Sequence, residues 1–458
     1  MKKLATLFLA AGMVVAASAP ANAVDVKVDA RFRTSFATGS SSFNGTNDET
    51  FQHRLRLGLT MAASENLSAY TQFQFGGYEW GTTNKHGKGS DNGNQITARM
   101  LYLDWTVPGT AVKVRMGRHQ FGLPAEAFGA NSILGAGYGN REGIVVTAPV
   151  TDWLGLTGMW ARLGSDGGTD LDQNKNTDMF ALAANMKFDG ISGAVYAAYA
   201  ATDAYGEKET YTAVGETYVD KGDGKFEKKP ATHYTQAVAS KAPNMCYGMP
   251  NAEGNAYWAG FTTTISAFDP FTLKLSAAYG EFDARFDNKD DQDGWNVQVK
   301  AEYALPFATA SLGGWYFSGA EKDNAGMPHS AYFNGAQYTF DGFANLSNNM
   351  GKTVNGGTWA VQAGLEGMSF VEGLSHTFQV TYMQGTNENG ATLIKDDFAL
   401  YEDDSAVEIS LANTYKIYKN LAAHLELGYI IADFDKKGSN KALDEDNWYT
   451  GLTFDFKF

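Results

Sequence analysis

The N-terminal quarter of the chain carries pairs of arginines separated by a single residue. Arg31 and Arg33 form one pair, and Arg54 and Arg56 form another. Side chains at positions i and i+2 of an extended strand point to the same side, so each pair presents two positive charges on one face. A wall of such charges attracts anions. Three basic residues in the strand-like segments that follow extend this candidate cluster: Arg99, Lys113 and Arg115.

The segments that carry these arginines alternate between apolar and polar residues. Within 54–59, three leucines alternate with two arginines and a glycine, and the same period of two occurs in 24–29 and 297–300. This alternation predicts strands with one apolar and one polar face. The segments run for about 10–14 residues, whereas a soluble strand usually has ~5–6 and a tilted strand that crosses a membrane needs ~9–11. Length therefore favours strands that cross a membrane.

Eighteen such segments can be placed between residues 24 and 458, and their connections alternate between short and long. Short inner turns and long outer loops are typical of bacterial outer-membrane barrels. We predict an all-β fold, a transmembrane antiparallel β-barrel of eighteen strands with short periplasmic turns and long extracellular loops. Sixteen strands are the alternative, because segment 143–150 is a weak strand. The long connections include 81–94, 124–142, 204–254, 321–356 and 388–404.

An even strand number lets the last strand pair with the first, which removes the open edges that lipid does not tolerate. Barrels of 16–18 strands leave an aqueous channel, so the count predicts a pore. A charge that faces mid-membrane lipid costs roughly 2–4 kcal/mol, and we therefore expect the basic cluster to line this pore. The alternative places it at the rim, reaching lipid headgroups. Arg99 fits less well, because facing it inward also turns Leu101 and Leu103 inward.

Both ends of the chain carry export signals. Residues 1–23 combine two lysines, a short apolar run and the Ala-Asn-Ala sequence 21–23, which predicts a signal peptide cleaved before Val24. Residues 24–458 then form one barrel domain. The final segment alternates aromatic and polar residues and ends on Phe458. It resembles the C-terminal strand that the outer-membrane barrel-insertion machinery recognises, so we expect that machinery to be a partner.

Composition excludes several other functions. The formal net charge is −15, which argues against a nucleic-acid partner. The single cysteine, Cys246, permits no internal disulfide.

None of the seven histidines lies in a hydrolase or zinc motif, so we expect no enzyme and no catalytic residues. Segments 220–224 and 287–294 are rich in Asp and Gly but fail the EF-hand spacing, so we expect no cofactor, with surface Ca²⁺ as a weak alternative.

Two neighbouring motifs resemble a known family. Residues 116–122, Met-Gly-Arg-His-Gln-Phe-Gly, resemble the Gly-Arg strand motif that precedes the constriction loop of trimeric general porins. Pro124, Glu126, Phe128 and Gly129 resemble the Pro-Glu-Phe-Gly motif of that loop, with one extra residue on each side of the Glu-to-Phe step. Over its full length the chain is most similar to the outer-membrane homotrimeric porins of sulfate-reducing (Desulfovibrio-type) bacteria.

The resemblance implies that loop 124–142 folds into the pore and that its acids face the arginines. By position, Arg118 would join the basic cluster and Glu126 the acidic side, with Arg141 and Glu142 at the end of the loop. One departure is that Arg115 and Arg118 have opposite parity, so both face the pore only if a β-bulge intervenes. General porins also usually have sixteen strands.

The expected function is passive diffusion of small hydrophilic solutes and ions through a water-filled channel in the Gram-negative outer membrane. Lipid, lipopolysaccharide and two further copies of the chain are the expected partners. The alternative is a substrate-selective channel for sugars or anions, since eighteen strands suit sugar channels. An outer-membrane hydrolase is a more distant alternative.

Overall fold

The computed structural model describes the barrel strands, their short turns and parts of the long connections. Among the described residues, no helix has the length and apolar character needed to cross a membrane. The predicted signal peptide, Cys246 and residues 287–290 of segment 287–294 lie outside the described residues. The described residues are 24–40, 47–79, 96–129, 131–133, 140–165, 176–202, 212–213, 217–220, 226–229, 233–234, 254–284, 291–322, 324, 326–327, 357–391, 400–435 and 445–458.

Eighteen of the strands form one antiparallel sheet, and four short strands of a long connection form two small two-stranded sheets, one nested inside the other as in a hairpin. The barrel strands are β1 (Asp25–Ser40), β2 (Asn47–Ser64), β3 (Leu67–Glu79), β4 (Ile96–Thr106), β5 (Lys113–Gln120), β6 (Asn140–Pro149), β7 (Leu154–Ser165), β8 (Asn176–Phe188), β9 (Ile191–Thr202), β14 (Gly254–Phe268), β15 (Phe271–Ala284), β16 (Gln292–Leu305), β17 (Ala308–Phe317), β18 (Thr358–Val371), β19 (Leu374–Gly385), β20 (Ser405–Tyr418), β21 (Leu421–Asp433) and β22 (Asn447–Lys457). The hairpin strands are β10 (Thr212–Ala213), β11 (Thr217–Asp220), β12 (Phe226–Lys229) and β13 (His233–Tyr234).

The sheet closes on itself because β22 pairs with β1. At the seam, the Ala30 amide donates to the Phe458 carbonyl at 2.8 Å, and the Phe458 amide donates to the Ala30 carbonyl at 3.0 Å. Closure leaves no open edge for lipid to meet. The prediction of an eighteen-strand barrel is confirmed, and the weak segment 143–150 belongs to a full strand, β6. Short turns and long connections alternate around the barrel as expected.

Large apolar side chains cover the outside of the barrel. Leu101, Leu182 and Leu312 are each 58–59% exposed although they lie in the middle of strands. Aromatic rings gather toward both ends of the strands, where Trp153 stacks on Phe188 at 5.4 Å near the short turns. This outer surface is the apolar band with aromatic girdles that a membrane barrel presents to lipid.

A bulge in β4 resolves the parity conflict at Arg99. The β3–β4 register shifts between Gln72, which pairs with Met100, and Phe73, which pairs with Ala98. Arg99 is the extra residue, and its Nη1 donates to the inward Gln72 Oε1 at 2.8 Å. Leu101 nevertheless stays outward at 58% exposure. A bulge places two residues of one strand opposite a single partner residue, so both side chains keep a suitable face.

Candidate functional site

The inner face of β1 to β5 carries the predicted basic cluster. Phe32 is outward at 40% exposure, so its neighbours Arg31 and Arg33 point inward. Across the β1–β2 ladder, Arg31 lies opposite Arg56, and Arg33 lies opposite Arg54. Strand parity places Lys113 and Arg115 on the same side as well, and the β4 bulge adds Arg99. Seven of the eight basic residues expected in the cluster therefore line one wall of the lumen.

Acidic residues interleave with the arginines on this wall. Asp455 of β22 accepts hydrogen bonds from Arg31 Nε at 2.8 Å and Arg31 Nη2 at 2.7 Å, and it lies 3.5 Å from Arg33 Nε. On the next strands, Asp104 accepts two bonds from Arg115 at 2.7 and 2.8 Å, and the Arg115 guanidinium lies 4.2 Å from the centre of the Tyr102 ring. Neither acid was predicted to line the lumen, although strand parity alone places both inward.

Two arginines also donate to glutamines. Arg56 Nε donates to Gln74 Oε1 at 3.0 Å, and Arg99 donates to Gln72. An amide partner holds a guanidinium in place without cancelling its charge. Among the described residues, the seven basic side chains of this wall outnumber its inward carboxylates, which are those of Asp29, Asp104 and Asp455.

The opposite wall is electrically balanced. Lys300 Nζ of β16 lies 2.8 Å from Glu366 Oε1 and 3.2 Å from Glu302 Oε1, and Lys274 Nζ of β15 lies 2.7 Å from Glu302. Two lysines thus meet two glutamates. Glu408 of β20 also points inward, but it is only 2% exposed. Among the described residues, basic side chains are therefore in excess on the wall of β1 to β5, whereas the lysines of the facing wall are matched by glutamates.

The expectation for Arg118 is corrected by the register. The β4–β5 and β5–β6 ladders run without a shift, so the bulge needed to turn Arg118 inward is absent there. Arg118 pairs with the outward Leu101 and with Glu142, and its Nη1 lies 2.5 Å from Glu142 Oε1. Both residues are on the outside of the barrel. Glu142 and Arg141 belong to β6 rather than to the constriction loop, and Arg141 points inward beside His119.

The connection after β5 lies inside the barrel. Phe121, Leu123 and Ile133 are 0–7% exposed and pack with inward side chains of β7, β8, β9, β14 and β15. Further along, the Phe128 ring meets Trp315 of β17 edge-on, with 5.1 Å between ring centres. The described part of the loop, residues 121–129 and 131–133, thus packs against the inner wall of β7 to β9 and β14 to β17, away from the arginines.

Glu126 fastens this loop to the wall. Its carboxylate accepts hydrogen bonds from Ser132 Oγ at 2.8 Å, from Tyr196 Oη of β9 at 3.3 Å and from Gln298 Nε2 of β16. The loop amides of Ala127 and Phe128 donate to Ser276 and Gln298. Glu126 is 5% exposed, and burial raises the pKa of its carboxyl to about 7. It is therefore a positioning residue beneath the loop, and it does not face the arginines as the resemblance implied.

Two tryptophans on the inner wall also pack in this region. Trp258 and Trp315 point inward but are 3% and 4% exposed, because the loop and other connections cover them. Trp105 and Trp160 point outward, and Trp80 lies outside the described residues. Within the described chain, no three His, Cys, Asp or Glu side chains converge as metal ligands.

Docking of the loop is expected to weaken as pH rises. The carboxyl of Glu126 has its pKa raised from 4.5 to about 7, so its contribution is complete below pH 4.5 and is lost as pH rises through 7. The shift corresponds to roughly 3 kcal/mol. Protection of the Ala127 and Phe128 amides against hydrogen exchange should therefore be higher at pH 5 than at pH 8, after correction for intrinsic rates. Glu126→Gln should remove the difference, and a difference that persists would contradict this role.

Asp455→Asn is expected to destabilise the barrel seam strongly. The change leaves Arg33, which is 4% exposed, beside a neutral amide, and breaking a buried ion pair costs about 3–5 kcal/mol. The matched control is Asp104→Asn, whose pair with Arg115 is about 40% exposed on both sides and should cost ~1 kcal/mol or less. Equilibrium unfolding in guanidinium, followed by tryptophan fluorescence, measures both. If both variants lose the same free energy of unfolding, burial of the Asp455 ion pair does not contribute to stability.

Comparison with known proteins agrees with this architecture. The barrel is similar to the crystal structure of OpdK from Pseudomonas aeruginosa with vanillate, at TM-score 0.56 and 12% identity over 95% of this chain and 98% of that chain. OccK8 (OprE) of the same organism gives the same values. OccAB4 of Acinetobacter baumannii gives TM-score 0.55 at 10% identity, covering 95% and 98% of the two chains. At these identities the likeness shows the fold alone.

The sequence comparison goes further. No curated protein matches the chain, but residues 9–326 match the Gram-negative porin family. That match spans more than half of the chain and includes the basic wall, the constriction loop and strands β1 to β17. The chain is therefore an outer-membrane β-barrel that belongs to the Gram-negative porin family.

Proposed function

We propose that this porin passes small hydrophilic solutes by passive diffusion and favours anionic solutes over cationic ones. The observation that carries the proposal is the unequal distribution of charge in the lumen. Seven basic side chains of β1 to β5 point into the lumen, and among the described residues of that wall they outnumber the inward carboxylates of Asp29, Asp104 and Asp455. On the described part of the facing wall, Lys274 and Lys300 are paired with Glu302 and Glu366.

The physical effect follows from the size of the water path. A lumen bounded by low-dielectric protein focuses the field of its wall charges, and charged side chains that line a pore set its ion preference. Anions are attracted to the guanidinium groups of the wall. The side of each anion that faces the water-filled lumen remains hydrated. Large or apolar solutes must lose hydration beside the loop, so they pass slowly.

Replacing Arg56 and Arg99 by glutamine tests the preference. Both arginines donate to glutamines of β3, and glutamine at these positions keeps an amide donor while it removes the charge. The Cl⁻/K⁺ permeability ratio, measured from the reversal potential in a KCl gradient across a planar bilayer, should fall by at least about twofold. The control Lys416→Gln with Lys419→Gln removes the same total charge at the short-turn end of β20 and should change the ratio less. An unchanged ratio in the first variant would refute the preference.

A substrate-selective channel is the second candidate. A cavity of about 430 Å³ opens beside the basic wall at the short-turn ends of β4 to β6, and its lining includes Lys113, Arg115 and His119. The similar structure of OpdK was determined with vanillate, an aromatic carboxylate. Titration of a single channel with small aromatic carboxylates distinguishes the two: saturable block of conductance indicates a selective channel, and linear conductance indicates a general pore.

Further expectations belong to the same proposal. The porin would assemble as a homotrimer, as its resemblance to the porins of sulfate-reducing bacteria suggests, and would contact lipopolysaccharide through its outer surface. The barrel-insertion machinery would recognise Phe458, which follows the last strand, β22. A channel needs no catalytic group and no cofactor, and membership of the porin family supports a transport role rather than hydrolysis.

A further inference from the structure

Four charged residues form a row across the outside of β5 to β8. Arg118 lies opposite Glu142, Glu142 opposite Arg162, and Arg162 opposite Asp178 in the strand register. Arg118 Nη1 lies 2.5 Å from Glu142 Oε1, and Arg162 Nη2 lies 2.9 Å from Asp178 Oδ2. The signs alternate from strand to strand. We name these four residues the outer ladder.

The neighbours of the outer ladder show that it faces away from the lumen. Ile144 and Phe180 lie two residues from Glu142 and Asp178 on the same sides of their strands, and they are 39% and 50% exposed. Arg162 also lies over the ring of Trp160, 5.7 Å from its centre. The side chains of the ladder are 23–59% exposed, so no other part of the described chain covers them.

The outer ladder lies within the apolar band. A strand tilted by ~40° rises about 2.5 Å along the membrane normal per residue, and the band is about 25 Å tall. Counted from the short-turn end of each strand, Arg118 is six residues beyond Val112, and Glu142 is eight residues before Val150. Both therefore lie roughly 15–20 Å above the short turns.

Strands β16 and β21, on other sides of the barrel, differ clearly. On β16 the first outward charge, Asp293, is twelve residues from Leu305, and on β21 Asp433 is twelve residues from Leu421. Those positions lie about 30 Å from the short turns, beyond the band. Charges that face hydrocarbon are strongly disfavoured, so the wall formed by β5 to β8 is built for a different neighbour.

We propose that β5 to β8 form the surface on which a second copy of this chain packs within the membrane. The inference locates the contact of the proposed homo-oligomer, on which it rests, and is independent of solute preference. Because rows of backbone bonds slope across a tilted barrel, the ladders of neighbouring copies cross where their walls meet. In a ring of three copies, the β5–β6 half of one wall faces the β7–β8 half of the next, and at the crossing Glu142 of one copy lies level with Arg162 of the other. Alternating charge thus makes the two halves of the wall complementary to each other.

The first test is a charge reversal followed by mass measurement. In mild detergent, light scattering coupled to size exclusion should give an oligomer for the natural chain. Glu142→Arg should shift it to the monomer, because like charges then meet at the crossing. The control Asp433→Arg reverses an outward carboxylate on β21 and should leave the oligomer intact. Heat-modifiable migration in gels verifies that each variant is folded.

The second test does not depend on disrupting the assembly. In a Cys246→Ser background, Gly158→Cys places one thiol on the outer face of β7, where an added side chain meets no other atom, and Leu427→Cys places one on the outer face of β21. After labelling with an environment-sensitive fluorophore, brominated lipids should quench the label at 427 several-fold more than the label at 158.

The results of these two tests distinguish the position of the contact from the existence of the homo-oligomer. Equal quenching at both sites, or an oligomer that survives Glu142→Arg, overturns the assignment of this face. A natural chain that is monomeric overturns the homo-oligomer as well. Neither result alters the permeability ratio in a bilayer, which tests the proposed function separately.

Discussion

Hydrocarbon offers no hydrogen-bond partner to a peptide group, so every backbone N–H and C=O that crosses the membrane must be satisfied within the protein. The pairing of β22 with β1 meets this requirement, and the rest of the structure depends on it. Once the sheet is closed, strands alternate strictly between lipid and lumen. Each strand residue then faces either lipid or the lumen. The strand register decides which of the two it faces, whatever the polarity of its side chain.

Register therefore decides which charges can act on a solute. Arg115 and Arg118 are three residues apart on the same strand, yet one lies beside Asp104 in the lumen and the other beside Glu142 on the outside. Only a bulge can alter this assignment, and the chain uses one at Arg99. Backbone pairing and the one inserted residue at Arg99 thus determine which basic side chains face the lumen. Hydrogen bonds and ion pairs between these side chains depend on that placement.

Much of this architecture follows from local sequence. Period-two alternation, segment length and the spacing of turns predict eighteen strands, because each signal is contained within a few neighbouring residues. Parity likewise places Arg31, Arg33, Arg54 and Arg56 in the lumen. The partners of Glu126 were not predictable in this way. Tyr196 and Gln298 are 70 and 172 residues away, and no local pattern indicates which wall a loop will meet. The resemblance to general porins suggested arginines as partners, but apolar anchors such as Phe121 and Ile133 direct the loop to the other side.

The buried fastening of Glu126 has a consequence for how this channel can diversify. The loop inside the barrel is held by Ser132, Tyr196 and Gln298, whereas the proposed anion preference depends on arginines of other strands. Because the two groups share no contact among the bonds described, substitutions in one set need not disturb the other. The position of the loop and the charge of the wall can then change independently in evolution. A related channel can therefore shift its solute preference through substitutions in the wall while the loop keeps its position.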